Sequence, residues 1–131
     1  MEEQQKKRSV LIVEDDSFLS DMYQTKFSSA GYDVHIAQDG VQCLEELKGG
    51  FRPDVMLLDV VMPRMDGIEL LSAVKKDDNF KNIPVILLTN LGQESDVKRG
   101  MEMGAVDYLV KAHFTPSEVA RKVEEIMKNN M

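Results

Sequence analysis

Five short and mostly apolar runs, each bounded by polar, Gly or Pro residues, constrain the fold of this chain more than any other feature. They lie at residues 10–13, 34–37, 55–58, 85–88 and 108–110. The first, third and fourth runs do not alternate with polar residues, which is typical of strands buried on both faces of a parallel sheet. The sequence therefore predicts five parallel strands that are covered on both sides.

The segments between these runs have apolar residues at helical spacing, which predicts five helices in strict alternation with the strands. The first segment has Leu19, Met22, Tyr23 and Phe27, and the fourth has Val97 and Met101. The start of the last helix is marked by the four residues from Thr115 to Glu118, which predict a capping box with proline at the first helical position. Right-handed crossovers would place the carboxyl ends of all strands at one edge of the sheet, where ligands bind in open α/β folds.

Length and charge limit the classes of function. The 131 residues predict one domain at 9–129, preceded by a charged, disordered leader at 1–8. A net charge of −7 disfavours direct binding to nucleic acid or to an anionic membrane. No apolar run is long enough to insert into a membrane, and the single cysteine, Cys43, indicates a reducing, cytoplasmic setting with Cys43 as core filling.

Acidic residues follow two of the predicted strands. Glu14 and Asp15 come directly after the first strand, and Asp59 directly follows the third. If these strands are neighbours, three carboxylates lie together and need a counter-charge. Because all the donors are oxygen atoms, the favoured cation is Mg²⁺. The next acid, Asp16, is better explained as the N-cap of the first helix than as a metal ligand.

Two further polar residues end strands at the same edge. Thr89 follows the fourth strand and Lys111 follows the fifth. A carboxylate held between a metal ion and a lysine can attack a phosphoryl group and form an acyl phosphate. Lys111 would supply positive charge and Thr89 a hydroxyl donor to a phosphoryl oxygen.

Four motifs lie at the predicted strand ends, in this order along the chain: Val13-Glu14-Asp15-Asp16, Leu58-Asp59-Val60-Val61-Met62-Pro63-Arg64-Met65-Asp66-Gly67, Leu88-Thr89-Asn90 and Asp107-Tyr108-Leu109-Val110-Lys111. Through these motifs the sequence, from about Ser9 to Met127, resembles the receiver domain of bacterial two-component response regulators. That resemblance implies a flavodoxin-like (βα)5 three-layer sandwich with strand order 2-1-3-4-5, an order that general accounts of α/β folds already assign to a chemotaxis receiver.

The resemblance also implies a role for each site residue. Asp59 matches the phosphoacceptor, which receives its phosphoryl group from a histidine kinase or a phosphotransfer protein. The implied Mg²⁺ ligands are the carboxylates of Asp15 and Asp59, the backbone carbonyl of Val61, and Glu14 through a water molecule.

The remaining implied roles concern the switch. Thr89 and Lys111 match the pair that contacts the phosphoryl group. Tyr108 matches an aromatic residue that turns inward when the threonine hydroxyl moves, which alters the face formed by the fourth helix, fifth strand and fifth helix. That face is the expected docking surface for a downstream protein. In this reading the protein is not an enzyme, although it assists its own phosphorylation and dephosphorylation.

One departure from the common family pattern and one pair of apolar residues lead to two further predictions. The family commonly has proline after the lysine, whereas this chain has Ala112. The Lys111–Ala112 bond is then either trans with a rearranged loop or cis under strain. Since a cis bond before a non-proline residue costs about 2.5 to 4 kcal/mol, we favour the trans bond. By resemblance, Val61 and Leu91 flank the path of the water that attacks the acyl phosphate, and because both are apolar we predict slow loss of phosphate.

Two other functions are compatible with the same fold. A pseudo-receiver would bind partners constitutively, but Glu14, Asp15, Asp59, Thr89 and Lys111 form a complete set for phosphorylation. A flavodoxin-like FMN protein would need a phosphate-binding loop after the first strand, where the acidic residues would instead repel phosphate.

Overall fold

The computed structural model describes residues 7–62 and 65–130, and its framework is a five-stranded sheet with a helix after each strand. The strands are β1 (Ser9–Val13), β2 (Asp33–Ala37), β3 (Val55–Asp59), β4 (Val85–Thr89) and β5 (Asp107–Val110). The helices are α1 (Ser17–Ser29), α2 (Gly40–Lys48), α3 (Gly67–Lys76), α4 (Glu94–Glu102) and α5 (Pro116–Asn129), with a short 3₁₀ helix at Lys111–His113.

All strand pairs are parallel, and the order across the sheet is β2-β1-β3-β4-β5. This confirms the predicted fold class and order. The register pairs Val13 with Leu58 and Thr89 with Val110, so the residues that follow β1 and β5 lie beside the last residues of β3 and β4. The predicted site residues therefore meet at one edge.

The sheet separates two hydrophobic layers, because successive side chains of a strand point to opposite faces. Leu11, Met56 and Leu87 pack in the layer that contains α2 and α3. The next residue of each strand packs in the layer of α1 and α5, as Ile12 and Leu57 do. Cys43 is fully buried in the first layer, which confirms its predicted role as core filling.

Helix α4 is attached to the sheet much less extensively than its neighbours. Of its 9 residues, all of them described, Gly100 alone is buried. Gly100 fits closely against Leu87, and a Cβ atom at this position would collide with the leucine side chain. The spacing of Val97 and Met101 predicted this helix, and the structure confirms it, but neither residue is buried: Val97 is partly exposed and Met101 is 37% exposed.

The helix ends follow the predicted local chemistry. Thr115 and Glu118 form the predicted capping box of α5, in which each side chain accepts a hydrogen bond from the other residue's backbone N–H. Asp16 accepts a hydrogen bond from the Leu19 N–H at 3.1 Å and is the N-cap of α1, as predicted.

Only part of the predicted leader can be described. Residues 1–6 lie outside the described residues, and Lys7 has no regular secondary structure. The carbonyl of Arg8 accepts a hydrogen bond from the Asp33 N–H at 2.8 Å. Among the described residues, none of the helices combines the length and hydrophobicity that crossing a membrane requires.

Candidate functional site: an acidic pocket at the carboxyl edge of the sheet

Two buried carboxylates lie side by side where β1 and β3 end. Asp59 is the last residue of β3 and is 2% exposed, and Glu14 directly follows β1 and is 1% exposed. The Glu14 N–H donates to the Ala37 carbonyl of β2 at 3.0 Å, which holds Glu14 against the sheet. Asp15, the next residue, is exposed at the mouth of the site.

Glu14, Asp15 and Asp59 are arranged as a potential cation site. One carboxylate oxygen from each of them lies within 4.8 Å of the other two. Three hard oxygen donors with waters completing the shell are the chemistry that Mg²⁺ prefers. The negative charge of three carboxylates also exceeds what one neighbouring lysine neutralises, so the residues present fit a bound divalent cation.

Lys111 bridges the two buried carboxylates. Its Nζ atom lies 2.7 Å from Glu14 Oε1 and 3.0 Å from Asp59 Oδ2. Burial lowers the pKa of Lys111, but hydrogen bonds and charge from the two carboxylates outweigh burial and hold the pKa above its usual range. Lys111 is therefore a permanent positive charge directly beside Asp59.

The acidity of Asp59 is strongly perturbed by its surroundings. Burial, followed by repulsion from Glu14, raises the pKa of Asp59 from 3.8 to about 7, although Lys111 opposes the increase. A carboxylate whose pKa lies near neutrality, inside a cluster of charged groups, is typical of functional sites. A second positive charge near Asp59 would favour its ionised form.

Thr89 lies at the same edge, and its hydroxyl forms hydrogen bonds with residues other than Asp59. It is the last residue of β4 and is 2% exposed. Its hydroxyl lies 2.9 Å from Gln93 Oε1 and 3.0 Å from the Asn90 carbonyl oxygen. Both acceptors belong to the segment that leads into α4.

The other predicted residues lie around this centre. The Val61 N–H donates to Asp59 Oδ1 at 3.3 Å, and the metal-binding role of the Val61 carbonyl stays a prediction. Tyr108 on β5 is 43% exposed, and its switching role also stays a prediction. The Lys111–Ala112 peptide bond is trans, which confirms the predicted isomer, and Lys111 begins the 3₁₀ helix. The predicted rearrangement of the loop stays a prediction.

Two residues of this region, Gly67 and Gln93, make contacts with site residues that the sequence reasoning did not predict. Gly67 begins α3 so close to the backbone of Asp59 that a Cβ atom would collide with the Asp59 carbonyl oxygen. Gln93 holds the Thr89 hydroxyl, as described above. The one sequence feature that could have drawn attention to Gln93 is its position before α4, because N-caps usually have shorter polar side chains than glutamine.

The family model for the response regulator receiver domain matches residues 10–124. The chain belongs to this family. Receiver domains of two-component response regulators act as phosphoacceptors rather than as conventional enzymes, and they bind Mg²⁺ at an acidic pocket. The acidic pocket of this receiver domain is the cluster of Glu14, Asp15 and Asp59.

Individual relatives agree with this assignment. The DNA-binding dual master transcriptional regulator RpaA of Synechocystis is 35% identical over 119 residues, which cover 91% of this chain and 48% of RpaA. The receiver domain thus spans about half the length of the curated relatives it matches.

Solved structures of response regulators share the fold. A putative response regulator from Chloroflexus aurantiacus has 34% identity and a TM-score of 0.84, with coverage of 94% of this chain and 99% of that one. The Mn²⁺-bound form of response regulator Rcp1 has 27% identity and a TM-score of 0.80, with coverage of 90% and 92%.

Proposed function

We propose that Asp59 accepts a phosphoryl group from a phosphohistidine of a histidine kinase or phosphotransfer protein, and that this modification switches the domain between two partner-binding states. A carboxylate oxygen of Asp59 forms a bond to phosphorus as the phosphorus–nitrogen bond of the donor breaks. The freed imidazole nitrogen takes a proton from solvent. The product is an acyl phosphate on Asp59.

The observation that carries this proposal is the contact between Asp59 and Lys111. The carboxylate is buried at the end of β3, and its Oδ2 atom lies 3.0 Å from the ammonium group. The ammonium can stabilise negative charge on a phosphoryl group attached to Asp59, since charge neutralisation is the main need of phosphoryl transfer. The N–H of Val61, 3.3 Å from Oδ1, helps to fix the orientation of the carboxylate.

The same proposal assigns Mg²⁺ to the acidic pocket. Asp15 and Asp59 would bind it directly, Glu14 through water, and Val61 through its carbonyl oxygen. When bound, Mg²⁺ neutralises charge on the transferred phosphoryl group. The exposure of Asp15 beside two buried acids is consistent with a ligand that faces the incoming donor. Mn²⁺ binding by Rcp1, a structural neighbour, supports a divalent cation at this edge.

The proposed output passes through Thr89 and Tyr108. A hydroxyl donor at the end of β4 is adjacent to Lys111 through the pairing of Thr89 with Val110. Tyr108 borders a cleft of about 340 Å³ between β5 and the start of α4, which offers space for its ring. The face formed by α4, β5 and α5 is the proposed docking surface for a downstream protein.

The partners of this domain are therefore proposed to be proteins. The chain has a net charge of −7, so it is not expected to contact nucleic acid or to insert into a membrane itself. RpaA is named as a DNA-binding regulator, and matches this chain over only about half of its length. We propose a cytoplasmic receiver domain at 9–129 that assists its own phosphorylation and dephosphorylation.

Incubation of the full chain with acetyl phosphate and Mg²⁺, followed by intact-mass measurement, tests the phosphoacceptor. The wild type should gain the mass of one phosphoryl group, and Asp59→Asn should gain none. Asp78→Asn is the matched control, because the Asp78 side chain is 92% exposed and lies after α3, and this variant should label like the wild type. Labelling that persists in Asp59→Asn would contradict the assignment.

A further inference from the structure

The hydroxyl group of Thr89 has one proton, and both of its acceptors lie in the segment that leads into α4. Its nearby acceptors are Gln93 Oε1 at 2.9 Å and the Asn90 carbonyl oxygen at 3.0 Å. The orientation of the Gln93 amide is fixed independently, because the Asn90 backbone N–H lies 2.9 Å from the same Gln93 atom. A backbone N–H can only donate, so the atom that also receives the Thr89 hydroxyl is an oxygen.

Gln93 occupies the N-cap position of α4 without capping the helix through its side chain. Its side-chain oxygen instead accepts the two bonds from Thr89 and Asn90. Its backbone carbonyl accepts the Val97 N–H at 3.1 Å in the first turn of α4. This one residue therefore joins the end of β4 to the first turn of α4.

We propose that Gln93 is a positioning residue of the switch, which holds the Thr89 hydroxyl away from Asp59 until phosphorylation. The inference rests on the proposed function of Asp59 and Thr89. The single Thr89 proton is shared between Gln93 Oε1 and the Asn90 carbonyl oxygen, and its donation to a phosphoryl oxygen withdraws it from both acceptors. The exchange removes one of the two hydrogen bonds that hold the Gln93 side-chain oxygen.

The strength of this contact sets the balance between the two states. The net contribution of one neutral hydrogen bond corresponds to about a fivefold change in an equilibrium constant. If a substitution changes the free energy of the unphosphorylated state alone, the apparent affinity for a phosphoryl analogue changes by the full corresponding factor. Weakening the Gln93 contact should therefore increase that affinity.

Beryllofluoride with Mg²⁺ is a suitable phosphoryl analogue for the test, with its dissociation constant measured on the full chain by NMR or calorimetry. Gln93→Met keeps the length of the side chain and removes the acceptor, and should bind beryllofluoride about fivefold more tightly than the wild type. Gln93→Glu keeps an acceptor oxygen that forms a stronger, charge-assisted bond, and should bind at least twofold more weakly. Equal affinity in Gln93→Met, or tighter binding by Gln93→Glu, would overturn the proposal.

The Thr89→Val background separates the hydrogen bond from other effects of the substitutions. Without the hydroxyl, Gln93→Met should change the affinity less than about 1.5-fold, and any effect of Gln93→Glu reports its charge alone. A Gln93→Met effect of the same size in both backgrounds would refute the role of the hydroxyl. Failure of the wild type to bind beryllofluoride, or equal binding by Asp59→Asn, would instead refute the proposed function.

Discussion

Replacing Asp59 with asparagine is expected to stabilise the folded domain at pH 8, even though Asp59 is the proposed phosphoacceptor. The wild-type carboxylate is buried beside Glu14, and burial with that repulsion raises its pKa from 3.8 to about 7. Asparagine has nearly the same shape and no charge. The variant therefore removes an electrostatic cost from the folded state without creating a cavity.

The magnitude follows from the pKa. A pKa difference of one is worth about 1.4 kcal/mol, so a rise from 3.8 to about 7 costs about 4 kcal/mol of the free energy of unfolding above pH 7. Lys111 keeps Glu14 as its partner at 2.7 Å, so the substitution leaves no unpaired ammonium. We expect a gain of about 2 to 4 kcal/mol, with the lower figure where the wild-type site relaxes or admits water.

The size of the stabilisation expected from Asp59→Asn depends on pH between about 4 and 7. Below about pH 4 the Asp59 carboxyl is protonated in both the folded and unfolded states, so its contribution to the pH dependence disappears. Between pH 4 and 7 the folded state retains a proton that the unfolded chain has lost, so the wild-type free energy of unfolding falls as pH rises. The advantage of Asp59→Asn should therefore be near zero at pH 4 and complete at pH 8.

Urea denaturation followed by circular dichroism, in EDTA and at several pH values, measures this difference. Asp15→Asn is the matched control, because Asp15 is exposed and its substitution should change the free energy of unfolding by less than about 0.5 kcal/mol. Added Mg²⁺ should stabilise the wild type and reduce the advantage of the variant. An Asp59→Asn variant no more stable than wild type at pH 8, or an advantage independent of pH, would refute the reasoning.

Three further outcomes are expected. Asp15→Ala should weaken Mg²⁺ binding at least about tenfold in an NMR titration, since it removes an exposed carboxylate from the cluster, and equal affinity would contradict the metal site. The double variant Val61→Asn with Leu91→Glu should lose phosphate from Asp59 about tenfold faster or more, because polar groups can orient the attacking water. The measurement is the half-life of the phosphorylated mass, and an unchanged half-life would contradict this explanation. Gly67→Ala should lower the free energy of unfolding by about 1 to 3 kcal/mol in urea, because its Cβ would strike the Asp59 carbonyl, and wild-type stability would exclude this close contact.

The sheet and its charged edge could be predicted because they depend on local sequence. The apolar runs before Glu14, Asp59 and Thr89 fix the ends of β1, β3 and β4, and parallel strands bring their carboxyl ends to one edge. The strand order came from family resemblance rather than from periodicity. Given that order, the approach of Lys111 to the acids follows from the position of β5 beside β4.

The parts that could not be predicted depend on side-chain rotamers and on how closely elements pack. Gln93 reaches Thr89 through a particular side-chain conformation, which no spacing rule specifies. The exposed Met101 shows a second limit, because helical periodicity identifies an apolar face but not whether the sheet lies close enough to bury it. The close approach of α4 to Leu87 depends on Gly100, and because glycine has no side chain, the hydrophobic pattern of the sequence does not reveal this contact.

The sparse burial of α4 has a consequence for local unfolding. Helix α5 buries five side chains against the sheet, whereas α4 buries Gly100, which has none. Since the free energy of local opening depends on buried apolar contacts, backbone amide hydrogens in α4 should exchange with solvent by opening events much smaller than global unfolding. Moving α4 then disturbs little of the hydrophobic core. A free-energy change of the order of one hydrogen bond is therefore enough to shift α4 between positions while the sheet keeps its shape.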